Sequence, residues 1–262
     1  MESPGCKDEG IIYMNRFYVD KGHIDGEQVK IAGDDVKHIA KVLRLRGGDE
    51  VVVCDGQNTD YYGTIEKIDR DEVWVRLGRA EGTGTEADTE IILYQAVAKG
   101  TKMEFIIQKG TELGVVRFVP VITSRTIVRM GDERDVRKKV GRWQRIAAEA
   151  AKQCRRGRIP VVEPPIGFTS ALEAMQKYSL AILPHAGEKS RSIDSIPGVR
   201  GDYRNIAIMI GPEGGFGEDE INEAQSMGIN TIKIGPRILR TETAGMIITA
   251  ILMYRFGDLG GI

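Results

Sequence analysis

Apolar and polar positions change rhythm once along this chain. Up to residue 78 the apolar positions come in short runs broken by turns. Residues 16–19, 50–54, 61–68 and 72–77 read as strands, with alternation clearest in Val73-Trp74-Val75-Arg76-Leu77. Turn signals fall at Gly47-Gly48-Asp49, Asp55-Gly56-Gln57-Asn58 and Asp69-Arg70-Asp71. One helix-like piece, 34–45, interrupts them. This pattern predicts a small β-barrel over residues 14–78. Residues 1–13 read as a loose polar extension, with Met14 as an alternative start. Residues 79–89 are rich in Gly, Thr and acids, lack apolar periodicity, and read as a linker.

Over residues 90–262 strands and helices alternate. Strands are expected at 91–98, 118–122, 180–184, 206–210 and 231–234, and helices at 102–113, 138–154, 218–227 and 241–256. The first helix puts Met103, Ile106, Gly110 and Leu113 on one face and Gly114 just past its end. The third carries acids in its first turn and Gly228 just past its end, as the helix dipole favours. Such alternation implies an α/β domain with a mostly parallel sheet covered on both faces.

Composition then narrows the class. With 262 residues, 41% hydrophobic and 29% charged, disorder and disulfide scaffolds are excluded. Cys6, Cys54 and Cys154 are isolated, so neither a disulfide framework nor a zinc site is suggested. The N-terminus lacks a signal peptide's apolar stretch and the longest apolar runs are about half a membrane span, so a cytoplasmic protein without a membrane anchor is expected. The formal net charge of -1 argues at first against a polyanionic partner. It conceals an asymmetry. Residues 125–158 hold twelve basic side chains against four acids, a net +8 that leaves -9 for the rest. A one-signed segment of that size marks a nucleic-acid surface to be tested.

Two loops carry the strongest chemical signal. Ile210-Gly211-Pro212-Glu213-Gly214-Gly215-Phe216-Gly217 joins a predicted strand to a predicted helix, and its four glycines permit close backbone approach to a ligand. Ligands of open α/β sheets bind beyond the carboxyl ends of strands, where this loop must lie. A Walker A loop is excluded because Glu218 follows Gly217, and a dinucleotide fingerprint fails because Glu220 stands where its third glycine belongs. A pyrophosphate would be repelled by Glu213, Glu218, Asp219 and Glu220. S-adenosylmethionine, with a cationic sulfonium and no phosphate, suits such a loop. The second loop, 234–245, holds Gly235 and ends in a Thr-rich helix start with Glu242 in its first turn. Arg237 and Arg240 flank Ile238-Leu239, an apolar pair suited to an adenine face. The plainer reading gives these arginines to surface ion pairs.

These loops, with Leu183-Pro184 before them, resemble the cofactor motifs of the SPOUT methyltransferases. The strings IGPEGGFGEDEI and IGPRILRTETAGM are similar to those of the RsmE family, the 16S ribosomal RNA uridine-N3 methyltransferases. So are MNRFYV, HIAKVLRLRGGDEVVVCDG, KGTKMEFIIQKGTELGV, TSRTIV and RWQRIAAEAAKQCRRGRIP, in the same order from Met14 onward. The resemblance implies a PUA-like N-terminal barrel, a SPOUT domain with a trefoil knot, S-adenosylmethionine as cofactor, 16S ribosomal RNA as partner, and a homodimer that helps complete the site. Residues expected at the cofactor are Leu183, Pro184, Gly211, Glu213, Gly214, Gly215, Ile234, Gly235, Ile238, Leu239, Arg240, Thr243 and Ala244. Arg240, then Arg237, is expected to stabilise charge developing on the uracil, while Glu213 or Glu242 serves as base or orients an arginine. The family says nothing of the 1–13 extension, and His185 is not carried over.

The basic segment adds RNA contacts. Lys138, Arg142, Arg145, Lys152 and Arg156 recur at spacings of three and four around Glu149, opposite Val140, Trp143, Ala147, Ala150 and Cys154. With Arg125 and Arg155 they are expected to track phosphates, and Arg16, Lys41 and Arg44 are expected to do so from the N-terminal module. His23, His38 and His185 show no metal spacing, and no metal is expected. Two rivals remain from the sequence: a SPOUT enzyme acting on a ribose 2′-oxygen, and a non-catalytic RNA-binding assembly factor.

Overall fold

The computed structural model describes residues 14–128, 130–196 and 203–260. The 1–13 extension with Cys6, and Arg129 of the basic segment, lie outside the described residues. The chain divides into two compact units between Gly84 and Thr85.

The first unit is a six-stranded sheet with a one-sided core. Its strands are β1 (Arg16–Tyr18), β2 (Ile24–Asp25), β3 (Gln28–Ala32), β4 (Glu50–Cys54), β5 (Thr59–Ile68) and β6 (Glu72–Gly82), in the order β1-β4-β5-β6-β3-β2. All neighbours are antiparallel except β1 and β4. Val73, Val75 and Leu77 turn inward onto Val29, Ile31, Val51, Val53 and Ile65, while Arg76 faces solvent, as alternation dictates. The helix-like piece is α1 (Asp34–Lys37), which widens into a π-type turn at His38–Leu43 and ends with Arg44 in the left-handed region at φ 57°. Val36 and Ile39 close the core from this segment. Among the described residues no ladder joins β1 to β2, so the expected barrel is a curled sheet.

The expected linker needs correction at its start. Residues 79–82 belong to β6 and pair with Thr59–Tyr61, for example Tyr61 with Ala80. Their side chains are exposed, so backbone hydrogen bonding, with Arg79 stacked over the Tyr62 ring, extends the strand and no apolar signal marks it.

The second unit is a seven-stranded, wholly parallel sheet among the described residues. It comprises β7 (Glu90–Ala96), β8 (Val115–Ile122), β9 (Val161–Val162), β10 (Ile166–Gly167), β11 (Leu180–Pro184), β12 (Asn205–Ile210) and β13 (Asn230–Ile232). The order is β10-β8-β7-β12-β11-β13, with β9 also on β8. Helices α2 (Lys102–Glu112), α3 (Glu133–Gln153), α4 (Phe168–Met175), α5 (Glu218–Ser226) and α6 (Thr241–Phe256) flank it. Alternation divides each strand between two cores. Ile91, Leu93, Ile182, Ile206, Ile208 and Ile210 face α2, α3 and α6, whereas Ile92, Tyr94, Leu183, Ala207 and Met209 face α4 and α5. Burying each such large side chain contributes about 1.5–3 kcal/mol, which is why the central strands read as continuous apolar runs.

Gly114 and Gly228 stand just past α2 and α5 at φ +94° and +80°, the left-handed position where a side chain would be strained. Helix α3 begins five residues before its expected start. Asp132 caps it by accepting the Asp135 N–H at 2.9 Å, and its exposed first turn carries no amphipathic signal.

Candidate active site

Strands β11, β12 and β13 are consecutive in the sheet, and the loops leaving their carboxyl ends enclose a cavity of about 940 Å³. This is the position expected for a ligand in an open α/β sheet, and the volume suits a drug-sized molecule. Its walls include Pro184, Gly211, Glu213, Gly214, Gly215, Ile234, Gly235, Arg237, Ile238, Leu239, Arg240 and Ala244 from the expected set. Two expected residues lie outside the walls. Leu183 is fully buried among the side chains facing α4 and α5, because strand alternation turns it away from the loop. Thr243 stands half-buried in the first turn of α6, one residue from wall-forming Ala244.

The glycine loop is held at several points. Gly215 closes a turn through its N–H to the Pro212 carbonyl at 2.9 Å and has φ +67°. A Cβ on Gly211 would lie 3.1 Å from the Phe216 ring, tighter than packing tolerates without movement. Glu220 accepts the Gly217 N–H at 2.8 Å and the Ser124 N–H at 2.7 Å, tying the start of α5 to the loop after β8. Arg125 donates to the Gly214 carbonyl at 2.9 Å and lines the cavity from an exposed position, so it braces this loop.

A chain of hydrogen bonds joins the two loops from beneath. Thr241 donates to the Gly211 carbonyl at 2.6 Å and accepts from the Gln95 amide at 2.9 Å. Gln95 is fully buried at the end of β7. Sequence reasoning missed Gln95, Thr241 and Lys102, which also lines the cavity. Gln95 and Lys102 lie more than a hundred residues before the loops they contact. For Gln95, one amide inside an otherwise apolar run, followed by Ala96-Val97-Ala98, was the available signal.

Electrostatics separates the candidate catalytic groups. Glu213 accepts from the Lys99 N–H and from Lys102 Nζ, both at 3.1 Å. Partial burial pushes its pKa up, but hydrogen bonds from its own N–H and that of Lys99, together with Lys102, outweigh this and lower it overall. A carboxylate held ionised in this way is a weak proton acceptor, so Glu213 fits a holding role better than the expected role of base. Arg237 and Arg240 stand exposed on the wall, and neither forms an ion pair with another described residue. Ile238 is 87% exposed, an apolar side chain open to a ligand. His185 also lines the cavity; its Nδ1 accepts the Gly187 N–H at 3.2 Å, and burial lowers its pKa more than Glu188 raises it.

These walls fit S-adenosylmethionine: carboxylates for a cation, a glycine cradle, an apolar pair, and no phosphate-binding loop. Gly215→Val should strain the left-handed turn and weaken cofactor affinity by about tenfold or more, measured by calorimetry.

The basic residues fare unevenly. Arg156 is 5% exposed and pairs with Glu86 at 2.6 Å while donating to the Thr111 and Val115 carbonyls, which removes it from any RNA surface. Arg16 is largely buried, with 14% of its side chain exposed, and its guanidinium is spent on Asp60 and the Tyr18 hydroxyl. Arg142 is exposed but pairs with Glu104 at 2.7 Å, and Lys152 lies 3.6 Å from Glu149. Lys41, Arg44, Arg145 and Arg155 stand exposed. Glu104 on α2 therefore neutralises Arg142 of the α3 stripe, an arrangement invisible when α3 is read alone.

A family profile described as an RNA methyltransferase domain matches residues 85–253, and one described as an RNA methyltransferase PUA domain matches residues 31–78. The chain is 29% identical over 255 residues to ribosomal RNA small subunit methyltransferase E of Bacillus subtilis, covering 95% of this chain and 99% of that one. Its identity to the protein of the same name from Mesomycoplasma hyopneumoniae is 32%, over 90% of this chain and 97% of that one. A Legionella pneumophila protein solved with S-adenosylmethionine superposes with TM-score 0.82 at 31% identity, covering 95% of this chain and 100% of that one. Ribosomal RNA small subunit methyltransferase E of Neisseria gonorrhoeae, bound to S-adenosylmethionine, gives TM-score 0.82 at 30% identity, over 94% and 99% of the two chains. With more than half its length matched by that first profile, the chain belongs to the RNA methyltransferase family, with a PUA domain preceding its catalytic domain.

Proposed function

We propose that this chain is an S-adenosylmethionine-dependent methyltransferase that methylates N3 of a uridine in 16S ribosomal RNA. The observation that carries the reading is the cavity itself, where two glycine loops meet beside two arginines that pair with no described acid. The names of the relatives, and the cofactor in two structural neighbours, point the same way.

When bound, S-adenosylmethionine supplies an electrophilic methyl group on a cationic sulfur. Glu213 and Glu218 place carboxylates in and just after the glycine loop for the cationic end of the cofactor, on walls that also carry Lys102, Arg125, Lys233, Arg237 and Arg240, and Ile238 and Leu239 offer an apolar face to the adenine. Uridine N3 must give up its proton to solvent water to become nucleophilic, and the negative charge then spreads onto the uracil carbonyl oxygens. Arg240, supported by Arg237, stabilises that charge, while ordered walls fix the angle of attack. N3 is engaged when uridine is paired, so the target base must be unpaired or extruded.

Arg145, Arg155, Lys41 and Arg44 supply phosphate contacts in this reading. Arg145→Glu is expected to weaken RNA binding and reduce the salt slope by about one to two while sparing cofactor affinity. Unchanged RNA affinity would return the stripe to a merely solvated surface.

The reading includes a homodimer and a knotted topology. Helix α6 is apolar on nearly all sides, yet Ile247 and Tyr254 are exposed at 41% and 71%, as a helix awaiting a partner would be. The chain leaves edge strand β13 and returns through α6 to pack on α2, β12 and β7, as a threaded segment would. Sedimentation of Tyr254→Asp against the unmodified protein tests the dimer.

The function itself is tested by mass mapping of small-subunit RNA from cells lacking the gene. Loss of a single 3-methyluridine, restored by the purified protein, is the expected result. Loss of a 2′-O-methyl nucleoside would replace the N3 assignment, and no change in any methylated nucleoside would favour a binding factor.

A further inference from the structure

We propose that Lys102 is a positioning residue of the cofactor pocket, an electrostatic brace that fastens the glycine loop to the start of α6. This inference rests on reading the cavity as the S-adenosylmethionine site. Lys102 is the first residue of α2 and lines the cavity. Its Nζ lies 3.1 Å from Glu213 Oε1 and 3.5 Å from Glu242 Oε2. One ammonium thus bridges a carboxylate on the loop after β12 and a carboxylate in the first turn of α6.

The contact with Glu242 is the more telling half. Glu242 Oε2 is buried and accepts no hydrogen bond in the structure, so among the described residues the Lys102 ammonium is its counter-charge. Glu213 retains the Lys99 N–H if Lys102 is lost, but Glu242 Oε2 has no hydrogen-bond donor to fall back on. The hydrogen bond to Glu213 and the charges of Glu213 and Glu242 raise the pKa of Lys102 despite some opposing desolvation, so the brace stays charged at neutral pH.

The other fastenings place Lys102 in a set. Gly211 is held by Thr241, Gly214 by Arg125, and Gly217 by Glu220. Lys102 holds the loop at Glu213, between the first two, and differs from all three in being a charge bridge to the second loop's helix. Without it, two like charges face each other across the junction of the loops, and their repulsion spreads the walls.

The sign of the effect separates positioning from simple charge. Removing a cation beside the cavity makes it more negative, which by long-range electrostatics alone would tighten binding of a cationic ligand. Loss of a brace does the opposite.

Calorimetry with S-adenosylmethionine on the full chain reads this directly, alongside methyl-transfer kinetics on RNA. Lys102→Met should weaken cofactor affinity about tenfold, the order expected from two partly exposed ion pairs plus the repulsion left behind. The cofactor KM should rise in parallel while kcat at saturating cofactor stays within about threefold, because uniform binding is what is lost. Lys102→Arg should restore affinity to within about threefold, since it keeps the charge and the reach. Glu242→Gln added to Lys102→Met should recover most of the lost affinity by removing the repulsion. Unchanged or tighter binding by Lys102→Met, or no recovery in the double variant, would overturn the proposal. Gly215→Val serves as the control on the site: if it too leaves binding intact, the cofactor assignment of the cavity fails, whereas its loss of binding beside an unaffected Lys102→Met sinks only the brace.

Discussion

Replacing Arg240 with alanine is expected to lower methyl transfer by about a hundred- to a thousandfold while changing S-adenosylmethionine affinity by only a few-fold, the pattern seen when one donor to a developing anion is removed. The expectation follows from where Arg240 sits. It is exposed on the cavity wall, at the residue that caps α6, and among the described residues it has no carboxylate partner to lose. Its charge is therefore available to a substrate that becomes anionic during the reaction. A guanidinium serves this purpose well, because its planar donors can reach a carbonyl oxygen without giving up their proton. Single-turnover transfer of a labelled methyl group, measured beside calorimetry of the cofactor, checks it. Equal loss of binding and turnover would make Arg240 a cofactor ligand and not a catalytic group, and would move the charge-stabilising role to Arg237.

The second large effect concerns stability. Arg156 and Glu86 form a buried pair at 2.6 Å, with 6% and 8% of their side chains exposed. Arg156 also donates to the carbonyls of Thr111 and Val115 at 3.0 and 2.6 Å, and Glu86 accepts the N–H groups of Gly157 and Arg158 at 2.9 and 3.1 Å. Breaking such a pair from one side strands a buried charge. Arg156→Met should therefore cost about 3–5 kcal/mol. In a unit of this size that lowers the melting temperature by roughly 10 °C, measured by calorimetric or circular-dichroism unfolding. Glu86→Leu combined with Arg156→Met should cost clearly less than the sum of the two single changes, because the double variant buries no orphaned charge. A single variant that melts with the unmodified protein would show the pair to be solvated, and would reopen Arg156 to RNA.

That pair also shows how a correct local reading can mislead. The stripe Lys138, Arg142, Arg145, Lys152, Arg156 has helical spacing, and α3 does present its first members to solvent. Arg156, however, lies past the end of α3, where the chain turns inward, and Glu86 from a segment read as a linker meets it there. Spacing along one helix carries no information about an acid seventy residues away. Arg142 and Glu104 repeat the lesson across α2 and α3.

Other features were legible because a single local cause sets them. Gly114 and Gly228 end their helices in the left-handed region as expected, and the boundaries of β4, β11 and α6 match the apolar runs that specify them. The strands β2, β9 and β10 went unread because two residues offer no period to show, and β3 and the helix α4 went unread as well.

What the sequence alone determined is the alternation that makes two sheets, and the glycine loops where backbone conformation excludes side chains, since both depend on residues adjacent in the chain. Only the tertiary structure decided which charges are free. It gave Arg125 to Gly214, Arg156 to Glu86 and Lys102 to both loop carboxylates, while leaving Arg240 open at the cavity. The physical reason is that a charge takes its role from whatever opposite charge or carbonyl the fold brings within about 4 Å, and folding chooses that neighbour from any distance along the chain.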